Sequence, residues 1–138
     1  MEGTLVFYFG HLLYGYLNNI FLSVYFKYMK KITFMARSLE SIKSFPADAK
    51  QEVGHQLDKV QRGYNPTDWK PMQGIGSNVR EIRIRISDGI YRVIYIAKFE
   101  EAVYVLHAFQ KKTEKTSKPD LDISKRVYKQ ILEDRNHD

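Results

Sequence analysis

Residues 79 to 116 constrain the fold of this chain more than any other stretch, because they hold three consecutive segments with the pattern of β-strands. In the first segment, residues 79–86, isoleucines alternate with charged side chains, as in a strand with one buried face. The second segment, residues 90–97, is rich in β-branched and aromatic residues, and the third spans residues 102–110. Short turns separate the segments, and the first turn includes Gly89, which can adopt a positive φ. The stretch therefore predicts a three-stranded antiparallel meander.

Cationic side chains lie on these three strands or at their ends. A meander of this kind buries one face and leaves the other available for binding. The cations are Arg83, Arg85, Arg92, Lys111, Lys112 and Lys115. Two interpretations are open for this set. The cations form a site for an anionic ligand, or their roles are structural and solvated. In the second case Arg83 and Arg85 form a solvated strand face that is cross-paired with acids, Arg92 has a structural partner, and the lysines contribute only bulk charge.

The composition limits the classes of protein to which the chain can belong. Its 138 residues suit a single domain, and its formal charge of +6 favours a polyanionic partner such as nucleic acid or an acidic protein. The absence of cysteine excludes disulfides, thiol nucleophiles and cysteine-based zinc sites. The four histidines lack the spacing of metal ligands. We therefore expect a protein that uses neither a metal nor a cofactor.

The N-terminal part differs in character from the rest of the chain. Residues 4–26 contain no Lys, Arg, Asp or Glu and are long enough for a membrane span, but His11 and Asn18 interrupt the apolar run. The stretch also lacks the basic region and cleavage site of a signal peptide. Three interpretations are open: a membrane-seeking or partner-covered helix, an extra element packed on the domain, or upstream sequence translated from a start codon assigned too early.

Met29 opens a stretch that is self-contained as a domain. We therefore divide the chain into an atypical hydrophobic N-terminal extension, residues 1–28, and a domain of residues 29–138. We expect a cytoplasmic protein in which residues 29–138 have no stable association with a membrane.

The remaining elements of the domain are predicted from local signals. Residues 31–36 form a strand, Ser38 caps a short helix, and a second helix runs from Pro46 to about Gln61, where Gly63 ends it. Residues 63–78 form the longest loop. Pro119 begins a last helix after the meander. The pattern predicts an α+β domain with helices on one face of a mostly antiparallel sheet and the other face open. The first strand can occupy either edge of the sheet.

Five segments, taken in order, carry a resemblance to a known family. They read SLESIKSFP, LDKVQRGYNPTDWKPM, GIGSNVREIRIR, GIYRVIYIAKF and VYVLHAFQKKTEKT, and with the last helix the match covers residues 29–135. The chain resembles the RelE/HigB superfamily of bacterial toxins and, within it, the HigB-like branch of phage-related proteins. The resemblance implies a RelE-like fold: a mostly antiparallel four-stranded sheet with an N-terminal helical hairpin and a C-terminal helix.

The same resemblance implies the function. Such a protein is the toxin of a type II toxin–antitoxin system, a ribosome-dependent messenger-RNA endonuclease that works without a metal. Its partners are messenger RNA on the ribosome and a helix-turn-helix antitoxin of the HigA or Xre type. Two alternatives stay open: a toxin of the same scaffold that inhibits DNA gyrase, and an inactive phage-derived relict that only binds its antitoxin.

RNA cleavage without a metal needs a base for the 2′-hydroxyl, cations that stabilise the phosphorane, and an acid for the leaving 5′-oxygen. The resemblance assigns Arg83 and Arg85 to the first basic pair and Arg92 to the phosphate-binding arginine. It assigns Lys111, or its neighbour Lys112, to the basic residue at the end of the last strand.

The remaining candidates come from residue chemistry. His107 is the one histidine of the meander, and it is either a proton carrier or a hydrogen-bonded core residue. Tyr91 and Tyr95 are alternative bases, on the opposite side of their strand from Arg92. Trp69 is either a packing anchor or a platform on which a nucleobase stacks. We assign Trp69, Lys112 and Lys115 to RNA binding.

Overall fold

A computed structural model describes residues 5–7 and 29–137. The strands are β1 (Leu5–Phe7), β2 (Lys31–Phe34), β3 (Trp69–Pro71), β4 (Val79–Ile86), β5 (Gly89–Ile96) and β6 (Ala102–Gln110). The helices are α1 (Ser38–Lys43), α2 (Ala47–Gln61) and α3 (Lys118–Asn136). The structure confirms the meander as β4, β5 and β6. Apart from the backbone of β1, residues 1–28 lie outside the described residues, so the interpretations of that extension stay predictions.

The sheet has six described strands in the order β1-β2-β6-β5-β4-β3, and five of them belong to residues 29–137. The four-stranded sheet expected from the sequence is therefore wrong. The additional strand β3 comes from the predicted loop and pairs antiparallel with β4, and β1 pairs antiparallel with β2. β2 pairs with β6 in parallel, which makes the sheet mixed. A three-residue strand gives no periodic signal, so only its pairing partner reveals it.

The expected N-terminal helical hairpin is also wrong. Helix α1 packs against β6 and α2 packs against β4, and each helix contacts the sheet more than it contacts the other helix. The connection places Phe45 in the core, where its ring lies 4.7 Å from that of Tyr91. A six-residue helix offers less than two turns of apolar surface. That surface is buried against the sheet, so little of it is left to pack against α2.

Both faces of the sheet are covered by helices, which corrects the expectation of an open face. The first core lies under α1 and α2 and includes Ile82, Val93 and Val105. The second lies under α3 and includes Ile94 and Ile131. Strand β5 is buried on both sides from Tyr91 to Ile96, as expected for a strand that is apolar apart from Arg92.

A β-bulge in β6 decides which face carries His107. Ile94 pairs with His107 while Tyr95 pairs with Val105, so Leu106 is an extra residue in β6. Strict alternation from Val105 would place His107 in the core under α1 and α2. The bulge instead brings His107 into register with Ile94, on the face that α3 covers.

Candidate functional site

The meander brings the predicted cations together on the α3 face of the sheet. Arg83 of β4 lies directly opposite Arg92 of β5, and Arg92 lies opposite Phe109 of β6. Arg85 occupies the next position of β4 on the same face, because successive side chains of a strand point to opposite faces. We refer to the α3 face around these residues as the cationic face.

The cationic face continues beyond β6. The backbone N–H of Lys111 donates to the carbonyl of Ile90, 2.7 Å away, so the ladder between β5 and β6 extends past Gln110. Lys111 is half-buried, and Lys112 and Lys115 are exposed. Among the described residues none of these three lysines is in an ion pair within 4.0 Å. They are therefore open to an anionic partner.

Arg92 is buried at the centre of the cationic face. Its Nη1 lies 2.5 Å from Oε1 of Glu81, which is also buried. The hydroxyl of Thr116 donates to the other oxygen of Glu81 at 3.1 Å, and it accepts from Arg92 at 3.4 Å. Lys70 on β3 places its Nζ 3.9 Å from Glu81. In this conformation the guanidinium of Arg92 neutralises a carboxylate and does not face solvent.

Asp68 holds the two arginines of β4. Its Oδ1 lies 2.7 Å from Nη2 of Arg83, and its Oδ2 lies 3.4 Å from Nε of Arg85. The backbone N–H of Arg83 also donates to the Asp68 carbonyl at 2.9 Å. The acid pairing that the sequence left as an alternative is present. The two guanidinium groups share this one carboxylate, and they line a cavity together with Asp48 and Glu52 of α2. The Arg85 side chain is 62% exposed.

His107 is oriented by a carboxylate of α3. Its Nε2 lies 2.7 Å from Oδ1 of Asp120, and the hydroxyl of Ser117 donates to Oδ2 of the same carboxylate at 2.6 Å. The imidazole also stacks on Phe109, with ring centroids 5.1 Å apart. A carboxylate at Nε2 favours the neutral tautomer protonated there, which leaves Nδ1 as the acceptor nitrogen. The arrangement suits a group that accepts and returns a proton.

The structure separates Trp69 from the predicted cations. Trp69 pairs with Ile82, so it belongs to the opposite face of the sheet from Arg83. The guanidinium of Arg80 lies over the indole, 4.1 Å from its centroid. One face of the ring is therefore occupied, and Trp69 does not share the cationic face.

The alternative tyrosine bases lie on the opposite side of β5 from Arg92, as predicted. Tyr91 and Tyr95 are both buried in the core under α1 and α2. Burial raises the pKa of the Tyr95 phenol above its ordinary value, and a hydrogen bond with Arg80 opposes that change. Neither phenol shares the cationic face.

Several residues of the site carried no functional signal in the sequence. They are the partners of the predicted cations and of His107, namely Glu81, Asp68, Thr116, Asp120 and Ser117. The sequence indicated only that Asp120 favours the start of a helix and that Glu81 alternates with isoleucines. Their roles depend on strand register and on the docking of α3.

Two properties of the described part of the chain bear on its chemistry. No group of three or more His, Asp or Glu side chains there could hold a metal ion. No described helix is both long and apolar enough to cross a bilayer.

Comparison with known families gives one match. Residues 40–129 match the family model described as phage derived protein Gp49-like (DUF891). The matched segment begins in α1 and ends in α3, so it includes the meander and the residues of the cationic face. A search of curated proteins finds no match to the chain.

Proposed function

Because the chain belongs to the family of phage-derived Gp49-like proteins, a RelE/HigB-like toxin family, we propose that it is the toxin of a type II toxin–antitoxin system. The family membership covers more than half of the chain and confirms the resemblance at the level of the superfamily. The placement in the HigB-like branch stays a prediction. A helix-turn-helix antitoxin is the proposed partner.

We further propose that the toxin is a metal-independent, ribosome-dependent endonuclease of messenger RNA. The cationic face supports this proposal, because Arg83, Arg85 and Lys111 lie on the same side of the sheet as the oriented His107. A ribosome that positions the RNA lowers the demand on the protein, which then supplies charge and proton transfer.

The proposed reaction uses these groups in defined roles. Nδ1 of His107 accepts the proton of the 2′-hydroxyl, and the 2′-oxygen attacks the neighbouring phosphorus. The guanidinium groups of Arg83 and Arg85 stabilise the additional negative charge of the phosphorane. The bond from phosphorus to the 5′-oxygen breaks, and Lys111 or a water molecule protonates that oxygen. The products are a 2′,3′-cyclic phosphate and a 5′-hydroxyl.

Arg92 was expected to bind the phosphate directly, and this role remains part of the proposal. It requires that the guanidinium exchange Glu81 for a phosphate oxygen. Thr116, in the loop between β6 and α3, lies against both side chains. Movement of this loop upon ribosome binding would expose Arg92.

Induced expression followed by primer extension of cellular messenger RNA tests the proposal. The variants are Arg85→Gln, which removes an exposed cation of the site, and Lys43→Gln, which removes an exposed cation of α1. We expect in-frame cuts for the wild-type protein and for Lys43→Gln, and at least tenfold fewer cuts for Arg85→Gln. Growth arrest without cuts would indicate gyrase or another protein target. No arrest would indicate the relict.

A further inference from the structure

A second cationic region lies apart from the cationic face. A cavity of about 400 Å³ opens where the end of α2 meets β4 and β5, and residues 63–65 form part of its wall. Its principal polar and aromatic lining residues are Lys30, Tyr64, Asn65, Arg80, Tyr95 and Lys98. We propose that this cavity binds a nucleotide unit of single-stranded RNA, with its phosphate on the cations and its base on Tyr64.

The cavity keeps an uncompensated positive charge. No Asp or Glu of the described residues lines it, and within this part of the chain Lys30, Arg80 and Lys98 form no ion pair within 4.0 Å. The two lysines contact neutral groups. Nζ of Lys30 donates to the carbonyl of Ala97 at 2.6 Å, and Nζ of Lys98 lies 5.2 Å from the ring centroid of Phe99. Three cations that converge without an acid favour an anionic ligand.

Arg80 is held in place before any ligand arrives. Its Nη1 donates to Oδ1 of Asn65 at 2.9 Å, and its guanidinium lies over the ring of Trp69, 4.1 Å from the centroid. A guanidinium with fixed orientation loses little freedom on binding, and its planar donors match phosphate oxygens. The neutral partners leave its charge available to the ligand.

An exposed aromatic ring distinguishes an RNA ligand from a simple anion. Tyr64 is 64% exposed, and among the described residues it is the large hydrophobic side chain that is most open to solvent. It follows Gly63, whose φ of 89° ends α2 and turns the chain toward the cavity. Exposed aromatic rings beside cations are the usual means of stacking unpaired bases while holding the backbone.

Strand β4 supplies residues both to the cavity and to the cationic face. Arg80 and Arg83 are three positions apart on β4, so their side chains leave opposite faces of the sheet. RNA bound in the cavity would therefore cross the edge of the sheet near β3 on its way to the cationic face. The inference rests on the proposed function in one respect, that RNA is the ligand.

Fluorescence anisotropy of the full-length protein tests the site without ribosomes and without cleavage. The probe is a labelled single-stranded RNA of about ten nucleotides. We expect Tyr64→Ser to weaken binding about tenfold, through lost stacking. We expect Lys98→Gln and Arg80→Gln to weaken binding several-fold and each to lower the salt-dependence slope by about one. Lys50→Gln, which removes an exposed cation of α2, is the matched control and should lower both the affinity and the slope by less than the cavity variants do.

Three results would overturn the inference. Unchanged binding in Tyr64→Ser and Lys98→Gln, with thermal unfolding like that of the wild type, would show that the cavity does not hold RNA. An equal loss in Lys50→Gln would show that only bulk charge acts. Loss of antitoxin binding with RNA binding retained would assign the cavity to an acidic protein segment. A failure of the proposed nuclease would appear instead in primer extension, as an absence of cuts by the wild-type protein, and would leave this assay unchanged.

Discussion

Arg92 and Glu81 form an ion pair at 2.5 Å in which both side chains are buried. Burial of two charges is costly, and their attraction offsets that cost only while both are present. Thr116 adds hydrogen bonds to both partners, and Nε of Arg92 is buried without a hydrogen-bond partner among the described residues. The guanidinium therefore has a remaining donor in a site that is otherwise paired.

Loss of one partner of this pair should be more destabilising than loss of both. We expect Arg92→Ala to lower the free energy of unfolding by about 3–5 kcal/mol, because Glu81 is left buried and unpaired. The double variant Arg92→Met, Glu81→Leu should recover most of that loss. Urea denaturation of the three proteins measures the effect, and a double variant no more stable than Arg92→Ala would contradict it.

The double variant also separates folding from activity. Toxicity lost by Arg92→Ala alone has two explanations, instability and a missing phosphate contact. A stable double variant without toxicity would assign a direct role to the charge of Arg92, whereas a toxic double variant would make Arg92 structural.

Asp120 should act on His107 as a positioning residue. We expect Asp120→Asn to lower the cleavage rate about a hundredfold, at the low end of the contribution of about 10²–10⁴ made by general acid–base catalysis. It should also shift the imidazole nitrogen resonances of His107, because the carboxylate at 2.7 Å no longer selects the tautomer. Asp122→Asn is the control, since Asp122 lies on the same helical turn and pairs with Lys118. Unchanged nitrogen resonances in Asp120→Asn would contradict the assignment.

The phenol of Tyr95 should make stability depend on pH in the alkaline range. Its pKa in the folded protein is raised by burial above the ordinary value of 10.0, so folding favours the protonated form. The stabilisation is complete below pH 10.0 and is lost as pH rises through the folded-state pKa. We expect Tyr95→Phe to be less stable than the wild type at neutral pH by about 0.5–1.5 kcal/mol, through the lost hydrogen bond with Arg80.

Chemical denaturation at neutral and alkaline pH measures this difference. The difference in the free energy of unfolding between the two proteins should narrow above pH 10.0, because only the wild type contains the Tyr95 phenol and loses its stabilisation there. The other tyrosines titrate equally in both proteins. A gap that stays constant across that range would contradict the expectation.

Gly76 should be required for the docking of α3. A Cβ at this position would lie 2.5 Å from the ring of Tyr128, closer than packed atoms approach. We expect Gly76→Ala to destabilise the protein by about 1–3 kcal/mol, the usual cost of overpacking. Gly74→Ala is the matched control, since a Cβ there meets nothing within 4 Å. Equal thermal unfolding temperatures of the two variants would show that the ring of Tyr128 moves aside freely.

The sequence predicted elements better than it predicted their assembly. The periodicity of residues 79–86 located β4, and the proline and glycine signals located both ends of α2. The six-stranded mixed sheet and the placement of α3 opposite α1 and α2 were not predicted, and neither was β3. Assembly depends on which strands pair, and a short strand has no periodicity of its own.

The sequence by itself determined the meander, the superfamily and the placement of Arg83 and Arg85 on one side of β4, because each follows from local alternation or ordered motifs. The tertiary structure decided which partner each charge has. Glu81 meets Arg92 through the register of β4 and β5, and the bulge at Leu106 together with the docking of α3 brings His107 to Asp120. The alternation of side chains between the two faces is a property of a single strand, whereas the partner of a buried charge depends on contacts between residues distant in the chain.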